Sequence, residues 1–297
     1  MTTNFVFGAG ASFGSLHCEP EVPPLGQNLF RAMKQGGFLS NIEGEWAARF
    51  EDFEEGMEYF FCNRSGEVVR FLKEMSLFFL KYKPVGGNLY TKLASAALAS
   101  KERSVFMTTN YDLLLEYACD TAGGRFDYSF EKGGSHLSLL KIHGSCNFIT
   151  DCYMRGFSLS FKDWDKPAFK FPVKPSRDLR EIFEFCRDSA VAPSIAMYSP
   201  SKLRLFDGDF VEGQYDSWVE SLKFAKKVFI VGARVHLVDK HIWGVLSQVD
   251  AEICYVGKEN SGFEDWSRDN GRKADKIIGD TFESAMPYML SYLRGMA

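Results

Sequence analysis

Six short runs rich in β-branched, aromatic and aliphatic residues limit what this chain can become. They are residues 3–7, 104–107, 137–142, 193–198, 227–231 and 252–256, and stretches of helical length lie between them. The runs carry apolar residues on both faces, without the strict alternation of a strand that has one wet side. Strands of this kind, alternating with helices, indicate a parallel sheet covered on two sides. The fold class expected is therefore α/β: a Rossmann-like parallel sheet with helices on both faces. Residues 41–100 show three- and four-residue apolar spacing (Trp46, Phe50, Phe53, Met57, Phe60, then Val68, Phe71, Leu72, Met75, Phe78) and read as a three-helix insert. Residues 151–190, with Trp164 and Lys166-Pro167, read as a smaller mixed insert. The core then comprises about 1–40, 101–150 and 191–297 of a single domain spanning 1–297. Local signals add detail. Ser145–Thr150 starts a hairpin, Tyr215–Lys226 is a helix, Asp239 caps a helix through Leu246, and Asp280 caps a helix over Thr281–Leu293.

Composition excludes several classes. Of 297 residues 45% are hydrophobic and 25% charged, with a net charge of −4, which is ordinary for a globular chain. A binder of nucleic acid or of a membrane surface needs basic patches that this balance does not suggest. No basic residue precedes Arg31, and no apolar run exceeds strand length, so neither a signal peptide nor a spanning helix is expected. Seven cysteines occur without a C-x-x-C pair, which supports neither a zinc ribbon nor a disulfide framework. No metal is expected, and a reducing cytoplasm fits best.

Three loops that follow apolar runs carry the chemistry. The first is Gly8-Ala9-Gly10-Ala11-Ser12. Glycines there let backbone N–H groups approach a phosphate without an intervening Cβ. A tight strand-to-helix turn with no ligand is the competing reading, and the full dinucleotide fingerprint fails because Phe13 stands where its third glycine belongs. The second is Thr108-Thr109-Asn110-Tyr111-Asp112, where Asn110 or Asp112 either caps the next helix or points into a crevice. The third is His143-Gly144. In an open parallel sheet all such loops face one side, where ligands bind. His143, titrating near neutrality when unperturbed, suits a general base. His17, His136, His236 and His241 read as structural or solvated.

These motifs, in order, resemble the three NAD-binding signatures of the sirtuin superfamily. Val231-Gly232-Ala233-Arg234 looks like the fourth, at the adenosine ribose. Pro23-Pro24-Leu25-Gly26 and Asp239-Lys240-His241 resemble the bacterial sirtuin-like branch, which includes NAD-consuming effectors of anti-phage defence such as the Thoeris effector. The resemblance implies NAD+ as substrate. Gly8, Ala9, Gly10 and Ser12 would hold the pyrophosphate, and Asp112 would accept from the nicotinamide carboxamide. Asn110, beside Thr109, would hold ribose hydroxyls or the attacking water. Gly232 and Arg234 would lie at the ribose, and Asn110 and His143 would be the catalytic pair. Departures from the family are informative. The two C-x-x-C pairs of protein-deacylating members are missing, and Thr-Thr-Asn-Tyr-Asp and Gly-Ala-Arg replace the usual Thr-Gln-Asn-Ile-Asp and Gly-Thr-Ser. They favour an NAD+ glycohydrolase releasing nicotinamide and ADP-ribose. A protein deacylase or ADP-ribosyl transferase, and a non-catalytic sensor of NAD or ADP-ribose derivatives, are the alternatives. A free NADase is toxic, so a regulatory partner protein or homo-oligomer is expected to control it.

Overall fold

The computed structural model describes residues 1–131, 136–150, 169–196, 206–207, 209–236, 239–258 and 261–295. Trp164 and Lys166-Pro167 lie outside the described residues. The main sheet has seven strands. In chain order they are β1 (Thr2–Phe7), β2 (Arg103–Thr108), β3 (Phe126–Asp127), β4 (Leu137–Lys141), β5 (Ala225–Val231), β6 (Glu252–Val256) and β7 (Lys276–Gly279). They lie in the order β7-β6-β5-β1-β2-β4-β3 and every neighbouring pair is parallel.

The apolar runs fold this way because both faces are buried. Phe5 and Phe7 of β1, Phe106 of β2, Leu137 and Leu139 of β4, and Phe229 and Val231 of β5 enter one core. Val6, Val105, Met107, Leu140, Val228 and Ile230, their neighbours in sequence, enter the other. This is the two-residue period of a strand read twice, once for each face. The first core is closed by helices Gly26–Gln35, Phe53–Asn63, Val68–Phe79, Leu89–Ala99, Leu114–Thr121 and Phe282–Leu293. Aromatic rings carry much of it: Phe5 stacks on Phe229 at 5.0 Å and meets Phe106 edge-on at 5.2 Å. The second core is closed by Trp218 of helix Asp209–Leu222, Trp243 of helix Lys240–Leu246 and Trp266 of helix Phe263–Asp269. Among the described residues no helix is long and apolar enough to cross a membrane.

Four local readings change. The run at 193–198 is no strand of the sheet; Ile195 makes an isolated bridge to Gly144, and 197–198 lie outside the described residues. The helix expected at Tyr215–Lys226 runs over Asp209–Leu222, because Ala225 and Lys226 already belong to β5. Thr281, not Asp280, caps the last helix, through a capping box with Ser284. Residues 148–150 pair antiparallel with Val173–Pro175 rather than with a nearby hairpin partner.

After β1 the chain moves toward β2, and after β5 it moves the other way, toward β6. Such a reversal opens a crevice at the carboxyl ends. Here two backbone segments fill part of it. Gly10 N–H donates to Gly232 O at 2.9 Å and Gly8 N–H to Val231 O at 3.0 Å. Gly232 has φ +65, and a Cβ on it would stand 2.0 Å from Ala11 N. Gly232→Ala is therefore expected to cost at least roughly 2 kcal/mol, from left-handed backbone and overlap together. Gly213→Ala, in open space within helix Asp209–Leu222, should be neutral or gain up to about 1 kcal/mol. Urea denaturation of the two variants against the parent checks the contrast.

Candidate functional site

Helix Ala9–Phe13 starts directly at the end of β1, and its short length brings the Ser12 side chain back over the sheet, 2% exposed. Beyond β2 the chain turns through Thr108, whose hydroxyl donates to Phe7 O at 3.1 Å and accepts from Asn110 N–H at 3.0 Å. That turn aims Asn110 back toward β1. Its Nδ2 donates to Gly8 O at 2.9 Å and to Ser12 Oγ at 2.8 Å. Ser12 Oγ donates to Asp112 Oδ2 at 2.8 Å. The other carboxylate oxygen, Oδ1, accepts from Leu114 N–H at 3.0 Å, so Asp112 also caps the first turn of helix Leu114–Thr121. Capping and membership of the cluster coexist in one side chain.

Hydrogen-bond accounting gives the cluster its logic. Ser12 has one proton, spent on Asp112, and two lone pairs, which meet Asn110 Nδ2 and, at 3.2 Å, the Tyr90 hydroxyl. Tyr90 is fully buried; burial first, and then the charge of Asp112, hold its pKa well above the ordinary value, so it stays a donor. Both Asn110 amide protons are committed, and its Oδ1 remains the acceptor. Ser12, Asn110 and Asp112 line a narrow cleft with Ala9 and Thr109, opposite Pro23, Pro24, Leu29 and Phe79. Its open volume is about 40 Å³, room for little more than a few waters.

Gly8 and Gly10 have a different local role from the one expected. Their N–H groups are used on the carbonyls of Val231, the last residue of β5, and Gly232 just after it, and their missing Cβ atoms make room for Gly232 and Ala233, at 2.6–2.9 Å from where those atoms would stand. In this loop Ala9 and Ser12 are the residues that border the cleft.

His143 follows β4 in register with Asn110, since Thr108 pairs with Lys141 and each site residue comes two positions later. The two loops are tied: Cys146 N–H donates to Tyr111 O at 3.1 Å and Ser145 Oγ to the same oxygen at 3.3 Å. Gly144, with φ +77, is required because a Cβ would lie 2.0 Å from Ser194 O. The His143 imidazole does not line the cleft. It is 6% exposed, and its Nε2 sits 2.9 Å from Nε2 of His241. One of those nitrogens donates and the other accepts, so the contact holds a single proton. Gly232 packs on the glycine loop, while Arg234 and His236 are exposed beyond it.

Two contributors went unread in the sequence. Tyr90 gives no local signal. Lys141 did give one, a cation inside the run Leu137–Ile142; it is wholly buried and pairs with Glu116 at 2.9 Å. Cys119, Cys146, Cys186 and Cys254 offer no ready nucleophile: burial pushes the Cys186 and Cys254 thiols up to about 12, and those of Cys119 and Cys146 higher still. Among the described residues no three His, Cys, Asp or Glu side chains are grouped as metal ligands would be.

No protein-family model matches the chain, and no curated protein does. Among solved structures, a Sir2 homologue in complex with NAD aligns at 15% identity and TM-score 0.47, over 99% of this chain and 90% of that one. A Sir2 enzyme solved for its mechanism and regulation aligns at 15% identity and TM-score 0.46, over 99% and 92%. A mutant Sir2 homologue with ADP-ribose aligns at 13% identity and TM-score 0.45, over 99% and 91%.

Ser12→Ala strands Asp112 Oδ2, an Asn110 proton and the Tyr90 hydroxyl, and is expected to cost about 1–3 kcal/mol. Tyr90→Phe removes one donor and should cost about 0.5–1.5 kcal/mol. The double variant should cost less than the sum, because the two groups share a bond. A double-mutant cycle in urea measures all three.

Proposed function

We propose that this chain cleaves the nicotinamide–ribose bond of NAD+ with water as acceptor, giving nicotinamide and ADP-ribose. The observation that carries this reading is the Ser12–Asn110–Asp112 cluster, hydrogen-bonded across the ends of two adjacent parallel strands and bordering a cleft. The resemblance of the same three loops to the sirtuin signatures names the ligand. The absence of paired C-x-x-C motifs from the sequence favours water over an acyl-lysine as acceptor.

The chemistry asks little of an acid. The leaving group is a cationic pyridinium that takes the bond's electron pair and departs neutral, and the transition state is oxocarbenium-like. The site's work is to orient the ribose and the attacking oxygen. Asn110 Oδ1 accepts from a ribose hydroxyl or the water. Asp112 accepts from the carboxamide with the lone pairs not taken by Ser12 and Leu114. Ala9 lies where the pyrophosphate passes, with Gly8 and Gly10 holding the loop against β5 and Thr109 on the cleft wall. Gly232 and the exposed Arg234 serve the adenosine ribose. His143 takes the proton from water. The cleft's small volume supports an enzyme held off until a partner protein or a second copy opens it, as an NAD-depleting effector of anti-phage defence requires.

One observation favours a second reading. His143 faces His241 and not the cleft, which suits a module that binds NAD or ADP-ribose derivatives without turnover.

Incubation with NAD+ and chromatography for free nicotinamide and ADP-ribose separates the two. Asn110→Ala and His143→Ala are each expected to slow nicotinamide release by at least about 10²-fold while circular dichroism stays that of the parent. Tight binding with NAD intact after prolonged incubation would establish the sensor instead. Full activity in both variants would overturn the site assignment.

A further inference from the structure

We propose that Lys141 and Glu116 form a buried clamp that fixes where Asp112 presents its carboxylate, which makes Lys141 a positioning residue of this site. The inference rests on the reading above only in taking Asp112 as a ligand-contacting residue.

Lys141 is the last residue of β4, on the same face as Leu137 and Leu139, and its side chain is 0% exposed. Its ammonium donates to Asp112 O at 2.5 Å and to Glu116 Oε1 at 2.9 Å. Glu116 stands in the first turn of helix Leu114–Thr121, whose leading N–H is bonded by Asp112. Its Oε1 also accepts from Tyr128 OH at 3.0 Å, and that hydroxyl accepts from Asn147 Nδ2 at 3.1 Å. The arrangement crosses four segments: strand β4 before His143, the loop and helix carrying Asp112 and Glu116, Tyr128 just after β3, and Asn147 after the His143 turn.

An ion pair this deep is a poor device for stability, because removing two charges from water offsets most of their attraction and apolar residues of similar volume do as well. What an apolar pair does not provide is direction. A carbonyl at Asp112 gripped by a charged donor fixes the peptide plane from which the side chain springs. The carboxylate is then held at both oxygens, by Leu114 N–H and by Ser12 Oγ. Main chain and side chain of Asp112 are thereby fixed independently. The same lysine sits two residues before His143, so the placement of the carboxylate and of the imidazole share one anchor.

The test uses the full chain with Lys141→Met, which leaves Glu116 as a buried lone charge, and Lys141→Met/Glu116→Gln, which leaves no charge. ADP-ribose and NAD+ are the probes, titrated calorimetrically, and amide hydrogen exchange follows Leu114 and, as a distant reference, Phe229. The double variant is expected to melt nearer the parent than Lys141→Met does. It should nevertheless bind both probes at least tenfold more weakly and exchange Leu114 at least tenfold faster, with Phe229 unchanged. Binding within twofold of the parent, or a Leu114 amide as protected as in the parent, overturns the clamp. If the parent chain itself binds neither probe, the NAD reading falls, and exchange at Leu114 alone decides the clamp.

Discussion

A parallel sheet with both faces covered can bring polar side chains together only at the ends of its strands. Elsewhere along β1, β2, β4 and β5 the side chains enter one of two apolar cores, and a polar group there needs a partner to offset its lost hydration. The arrangement of this molecule follows from that restriction. The carboxyl ends of β1 and β2 carry Ser12, Asn110 and Asp112 within hydrogen-bond reach of one another. The end of β4 carries His143, and the end of β5 supplies the backbone on which the glycine loop rests. The helices after these strands mainly cover the faces and so hold the ends still.

Within the cluster, satisfaction of buried groups and readiness for a ligand pull in opposite directions. Ser12 is saturated, Asn110 has spent its protons, and Asp112 has a bond on each oxygen. This fixes the Asn110 amide in one orientation, with the carbonyl oxygen as the acceptor it still offers. Tyr90 contributes from beneath by supplying the second donor to Ser12. Preorganisation of this kind lowers the entropy a ligand loses on docking, and the narrowness of the cleft sets a conformational cost against it.

The fold class was readable because both-face burial writes itself into sequence as unbroken apolar runs, and β1, β2, β4, β5 and β6 all came from such runs. The edge strands were not. Phe126–Asp127 has two residues, and Lys276–Gly279 is bounded by charged residues, since an edge has one neighbour and weaker demands on its side chains. The run at 193–198 misled because its described part, 193–196, is a buried segment with little pairing, which has the same composition as a strand; its backbone instead seats Gly144. In the site, Asn110 and Asp112 were visible as a loop motif. Tyr90 was not, as its partner Ser12 is 78 residues away. The glycines were recognised as a motif, but only the three-dimensional approach of Gly232 explains why side chains are excluded at 8 and 10.

The contact between His143 and His241 joins segments that leave the sheet on opposite sides of β1. One follows β4; the other opens the helix after β5, whose Trp243 is packed edge-on against Trp266 at 5.1 Å. The end of β4 and the start of the helix after β5 are thus joined directly, across the two strands β1 and β2 that lie between them in the sheet.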